Sequence, residues 1–326
     1  MGHVQQAFRQ IVLRPCVMSK SCLTLGSLAA LGLGVALAQE PTSVECEETG
    51  RSGGRLVQVC DIRELTSPAT GSLSIVDRTN GDIKVRAWDR DEVHVRAVVR
   101  ATARDLEVAR EIAASVVISE GNTLRASGPE WRGNQGWKEW GRNQSWTVDF
   151  DVQVPRETEL TVSAVNGEVA IREVSGGISV DAVNGEVAIS EVSGDISVEV
   201  VNGEIAVSES SGDISVEAVN GSVELEGVSG NVGGHLVNGS IEVTLVGDRL
   251  RGEAVDLTTV NGPVELRIPR SFSAQLELET VTGGMDIDLP ITISGRLGRR
   301  VSTTLGGGGP LIRVETTGGA IRIDGY

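Results

Sequence analysis

Aromatic side chains are scarce in this chain: five Trp, three Phe and one Tyr among 326 residues, 3 % in all. A thick core built on aromatic packing is thereby excluded, and the interior must be aliphatic and thin. Positive charge is also short. Twenty-nine Lys and Arg face 45 Asp and Glu, for a formal charge of −16. Such a surface repels DNA, RNA and anionic lipid, so nucleic-acid binding is excluded. Histidine is nearly missing, and His94 and His235 are far apart in sequence, so no zinc-ligand cluster is expected. No segment beyond the first 39 residues is apolar enough to cross a bilayer.

Those first 39 residues differ in kind. Arg9, Arg14 and Lys20 are basic, and no acid precedes Glu40. Leu23 to Ala36 is an apolar run too short for a comfortable membrane span. Ala36-Leu37-Ala38 then places small residues at the −3 and −1 positions of a cleavage site. These three parts predict a secretory signal peptide over 1–39, with Met18 a second candidate start. Its removal takes Arg9, Arg14 and Lys20 with it and moves the formal charge from −16 to −19. The expected locations are periplasm, cell surface or medium. Cys16 and Cys22 leave with the signal. Cys46 and Cys60 remain as an even pair bound for an oxidising compartment, and a Cys46–Cys60 disulfide is expected within a leader spanning 40–70.

What the chain has in abundance is a repeat. Asn-Gly occurs at Asn166, Asn184, Asn202, Asn220 and Asn238, at a constant 18-residue spacing, with Ser-Gly midway at Ser175, Ser193, Ser211 and Ser229. Each half-unit reads as a turn followed by five alternating residues. Val187 and Ile189 point one way and Glu186, Ala188 and Ser190 the other; Ile196 and Val198 likewise oppose Asp195, Ser197 and Glu199. One such strand cannot bury its own apolar face, but stacked 18-residue coils can. The expected fold is all-β: a β-solenoid of right-handed β-helix type over 158–326, ending in irregular coils and a cap. Val169, Val187, Ile205, Val223 and Ile241 form one predicted inward column. Ile171, Ile189, Val207, Leu225 and Val243 form a second, and Ile178, Ile196, Ile214 and Val232 line the opposite side.

Residues 71–157 are expected to form a β-rich N-terminal region with turns at Asn80-Gly81 and Arg90-Asp91. One helix is predicted over Arg104–Ser115, with Leu106, Ala109, Ile112 and Ala113 on one face. Trp131, Trp137, Trp140 and Trp146 crowd a segment rich in Gly, Asn and Gln. Exposed tryptophans of this kind stack on sugar rings, and they also plug the open end of a solenoid.

With NGDIKV and DRDEVHVRA, then VDFDVQVP and LTVSAVNGEVAI, then VNGPVELRIP, LETVTGGMDIDLP, GRLGRR and IRVETTGGAIRID, the chain resembles the bacterial putative-adhesin family of exported β-helical proteins, of unknown function, over 71–326. The resemblance implies a right-handed β-helix in an exported or surface protein and brings no catalytic residues. The regular 18-residue coils and the Trp-rich insertion depart from the family pattern.

The remaining motifs are weighed on their chemistry. The Asn column reads as turn residues bonded to their own backbone and to each other. Glu168, Glu186 and Glu204, with Asp195 and Asp213, stack like charges that calcium could relieve, but the second glycine and the Asp of the calcium β-roll repeat are missing. Gly50-Arg51-Ser52-Gly53-Gly54 matches a nucleophile elbow in spacing alone, without its strand-turn-helix context. Ala170, Ala188 and Ala206, and Ser179, Ser197 and Ser215, make flat faces suited to packing. The expectation is a non-enzymatic envelope protein without cofactor, binding an unidentified protein or glycan, with self-association left open. A carbohydrate-active enzyme, a calcium-stabilised repeat and a filament are the alternatives.

Overall fold

The computed structural model describes residues 56–129, 144–289 and 299–326. The signal segment, Cys46 and Trp131, Trp137 and Trp140 lie outside them, and with Cys46 the expected disulfide; Cys60 sits on the first strand, opposite Arg100. The strands in chain order are β1 (Val57–Pro68), β2 (Ser72–Asn80), β3 (Ile83–Trp88), β4 (Glu92–Ala103), β5 (Val117–Ile118), β6 (Thr123–Ser127) and β7 (Ser145–Pro155). The central coils follow as β8 (Glu159–Asn166), β9 (Val169–Arg172), β10 (Ile178–Ser190), β11 (Ile196–Ser208), β12 (Ile214–Val228) and β13 (Val232–Leu245). The last are β14 (Ala254–Asn261), β15 (Val264–Ile268), β16 (Ala274–Thr280), β17 (Met285–Asp288), β18 (Arg300–Leu305), β19 (Leu311–Thr316) and β20 (Ile321–Gly325).

From β8 to β13 each coil pairs in parallel with the next, at an 18-residue register, as Ile178↔Ile196↔Ile214 shows. All three inward columns form as the alternation requires, and their side chains are buried. A further inward column, Ala164, Ala182, Val200, Ala218 and Leu236, lines the bend. The result is a β-solenoid with one continuous aliphatic core. Each fully buried Val, Ile or Leu in it contributes about 1.5–3 kcal/mol.

The corners differ from expectation. Asn-Gly does not break the strand: β10 to β13 run straight through it, paired across the corner as Asn184↔Asn202 and Gly185↔Gly203. The bend is accommodated by Gly185 at φ 144°. There a Cβ would stand 1.9 Å from the carbonyl oxygen of Gly167. The pairing breaks at the other corner instead. Glu173, Glu191 and Glu209 occupy the left-handed region at φ 63°, 57° and 49°, and the next coil places Gly227 there at 66°. A side chain in that region is strained by contact of its Cβ with the backbone.

The N-terminal region joins the same stack. β2 and β3 pair in parallel with β8 and β9, aligning Leu73 with Leu160 and Ile83 with Val169. Asn80-Gly81 is therefore a coil corner and not a hairpin, and Asn80 stands over Asn166. β6 and β7 lie on the far side of β2 and β3. The edge is closed by β4, antiparallel to β7, and by β1, antiparallel to β4. The helix α1 spans Leu106–Ser115, capped by Asp105 accepting from the Glu107 N–H at 2.9 Å. It buries Ala109, Ile112 and Ala113; Leu106, in its first turn, is left exposed.

The C-terminal end is interleaved. β14 and β15 follow β13, but the layer beyond them is β19 and β20, the last strands of the chain. β16 and β17 lie on the outer side of that layer, and β18 closes the edge antiparallel to β16. Pairing leaves β19 held between β14 and β16, and β20 between β15 and β17.

Candidate functional site

The repeat Ile-Ser-Val-Glu-Val-Val-Asn-Gly places two apolar residues side by side before each corner. Val200 takes the inward position, so Val201 must face outward. The same holds in every regular coil: Val183, Val201, Val219 and Val237 are each 42–43 % exposed. Because the coils are in register, these valines form one stripe along the stacking axis. The bend beneath it is concave, and with Val165 the stripe lines an open groove of about 760 Å³. Asp181, Glu199 and Glu217 stand on one side, in register, followed by His235 and Thr258. On the other side runs the Asn ladder, with exposed Glu186 and Glu204 beyond it.

The Asn ladder is longer than the repeat alone predicts. Each side-chain amide donates to the carbonyl oxygen of the preceding rung, from Asn166 on Asn80 through Asn184, Asn202, Asn220 and Asn238 to Asn261, at 2.5–3.0 Å. The asparagines bond to each other, so they are architecture that runs beside the valine stripe.

Asp77 ends the groove at its N-terminal side. It occupies the inward column, level with Ala164, and is 1 % exposed. Its Oδ1 accepts from the Thr79 N–H and hydroxyl at 2.8 and 2.6 Å, while Oδ2 has no hydrogen-bond partner. Burial pushes this carboxyl above the ordinary aspartate range; hydrogen bonds from Thr79 and Gly81 oppose the shift, and the charge of Asp149 adds to it. A raised folded-state value means that the neutral form is the better fit. The stability it brings is present in full below the unfolded value and is lost as pH rises through the folded one. Asp77→Asn is accordingly expected to melt above the parent chain at pH 7, with the difference closing by pH 3. Parallel melting curves across that range would contradict this account.

Trp146, the one member of the Trp-rich set that is described, packs as structure. Its ring lies over Gly128 and its indole N–H donates to the Pro129 carbonyl at 3.0 Å. Sequence reasoning does not single out Trp88, whose indole donates to the Glu92 carbonyl while Arg90 lies 4.7 Å over its ring and His94 stands beside it. Among the described residues no group of three or more His, Cys, Asp or Glu converges to hold a metal ion. Nor do the groove carboxylates divide into acid and base. Asp181, Glu199 and Glu217 occupy equivalent exposed positions, with Ser163 beside Asp181 and His235 beside Glu217, and none of the three is buried, whereas glycosidic chemistry sets one carboxyl of a pair apart by burial. No helix among the described residues is long and apolar enough to cross a membrane.

The architecture defines a β-rich repeat protein built as a β-solenoid. The family match is specific: residues 71–324 fit the family described as Toastrack DUF4097, and the chain belongs to that family, a domain of unknown function. Solved structures similar to this chain include a putative adhesin from Parabacteroides distasonis, at 8 % identity and a TM-score of 0.33, covering 81 % of this chain and 97 % of that one. A putative adhesin from Bacteroides fragilis is 12 % identical with a TM-score of 0.29, covering 82 % and 97 %. A putative lipid binding protein from Parabacteroides distasonis is 11 % identical with a TM-score of 0.25, covering 81 % and 96 %. No curated protein matches the chain.

Proposed function

We propose that this chain is an exported, non-enzymatic envelope or surface protein that binds a protein partner through the valine-lined groove. The observation that carries the reading is the stripe itself. A contiguous row of exposed valines along a concave surface is the kind of apolar patch that marks an interaction site, whereas isolated exposed apolar residues do not. Sugar recognition favours aromatic platforms, and the lining of this groove contains none. Export is supported by the basic, then apolar, then small-residue pattern of residues 1–39.

The test is recovery of partners from envelope extracts of the producing cells by the mature chain. Val201→Lys with Val219→Lys puts charge into the stripe, and Ser197→Lys with Ser215→Lys puts the same charge on an exposed strand face outside the groove. The expected result is a protein retained by the parent chain and by the serine variant but lost with the valine variant. Equal retention by both variants, or no protein retained at all, would sink the proposal.

A further inference from the structure

The groove's geometry restricts what can lie in it. It runs along the stacking axis, across the strands, and the backbone of each central coil is already paired with the coils on both sides. An added strand therefore finds no free row of N–H and C=O groups along this surface, and recognition must go through side chains. Rungs repeat about every 4.8 Å. An α-helix turns once per about 5.4 Å, close to that spacing. Residues at i, i+3 or i+4, and i+7 of a helix laid along the groove thus fall near successive valines. From Val165 to Val237 the stripe is roughly 19 Å long, the length of about 13 helical residues.

The walls determine the charge of the occupant. Asp181, Glu199 and Glu217 make no ion pair among the described residues, and Glu186 and Glu204 stand across the stripe. A second copy of this chain would bring its own carboxylate rungs against these, within a molecule whose formal charge is −16. These five carboxylates favour a cationic partner, and the exposed Arg78, at the N-terminal end of the lining, opposes them only there.

We infer that the groove receives a basic amphipathic helix of a protein partner. Its apolar face covers Val183, Val201, Val219 and Val237, and its Lys or Arg side chains reach Asp181, Glu199 and Glu217. This inference rests on the groove's being the binding surface, as proposed above.

The experiment is a fluorescence-anisotropy titration of the mature chain against a dye-labelled 14-residue Leu/Lys peptide with Leu at i, i+3, i+4 and i+7. The same peptide with Glu in place of Lys is the comparison. Val183→Thr, Val201→Thr and Val219→Thr together preserve side-chain shape and β-branching while making the stripe polar. Asp181→Asn, Glu199→Gln and Glu217→Gln together remove one charged wall. Melting curves establish that both variants fold. The expected result is binding of the Lys peptide only, weakened at least tenfold by either variant, with a salt dependence that flattens in the second. Binding that ignores the threonine changes would show diffuse attraction to an acidic surface and would overturn the inference. So would equal binding of the Glu peptide, or a dimer that forms through the stripe and is lost with threonine. If the peptide fails while the valine-to-lysine variant still loses its envelope partner, the groove keeps its role and only the helix is wrong. If both fail, the reading of the groove falls as well.

Discussion

Gly185→Ala is expected to destabilise the protein by at least about 3 kcal/mol, near the upper limit for a single methyl group. The added Cβ would stand 1.9 Å from the Gly167 carbonyl oxygen, on a residue whose φ of 144° already disfavours any side chain. Neither backbone can retreat, because pairing holds Gly185 to Gly203 on one side and Asn184 to Asn166 on the other. The matched comparison is Gly177→Ala at the opposite corner. Its nearest neighbour would be the Asp195 carbonyl oxygen at 3.9 Å, and Asp195 and Asp213 occupy the same place in the following coils. That change is expected to be neutral or to stabilise by up to about 1 kcal/mol, through a less flexible unfolded chain. Urea unfolding of the two variants beside the parent reads both values. Similar losses in both would show that the coils breathe enough to admit a methyl group at the Asn-Gly corner.

Ending the chain at Gly309 is expected to release far more than the segment removed. Pairing places β19 and β20 between β14/β15 on one side and β16/β17 on the other. Ile312, Val314, Ile321 and Ile323 are fully buried there, which amounts to about 6–12 kcal/mol of apolar burial. Tyr326 also donates its hydroxyl to the Leu245 carbonyl at 2.8 Å. Without this layer, β16 keeps only its antiparallel partner β18, and a two-stranded pair is marginal in water. Hydrogen exchange should therefore show β16, β17 and β18 losing protection together, while β10 to β12, whose neighbours are intact, keep theirs. Retained protection in these three strands would mean that β16 to β18 dock on the stack without the layer between.

The contrast between these two sites shows what is readable from the sequence. The inward columns are legible because strand alternation is local and the 18-residue period repeats it without error. The layer order at the ends is not. A strand such as Ile321–Gly325 announces which of its faces is buried but carries no mark saying which neighbour it lies against, and any layer of similar columns would accept it. Asn80 reads as an ordinary turn between two strands for a related reason: its partner, Asn166, is 86 residues away, outside the period that identifies the ladder. The groove does leave a signal. Two consecutive apolar residues, as in Val200-Val201 or Ala182-Val183, break the alternation in every regular coil, and the second can have no inward place. The tryptophans are the louder signal, yet three lie outside the described residues and the fourth is packed. The left-handed glutamates carry no signal, since Glu is ordinarily avoided there and only Gly227 hints at the corner's true geometry.

The asparagine ladder gives the stack a polarity that its sheet lacks. Strand dipoles largely cancel in a sheet, but here every side-chain amide points the same way, its N–H toward Asn80 and its carbonyl toward Asn261. Aligned hydrogen-bonded amides polarise one another. The ladder is thus a linear array with its positive pole at the N-terminal coil and its negative pole at Asn261, lying beside the groove for the groove's full length. A helix carries a dipole of its own, positive at its N-terminus. Side by side, the two align best head to tail, so a docked helix has a preferred direction, its first turn toward Asn261 and its last toward Asn80.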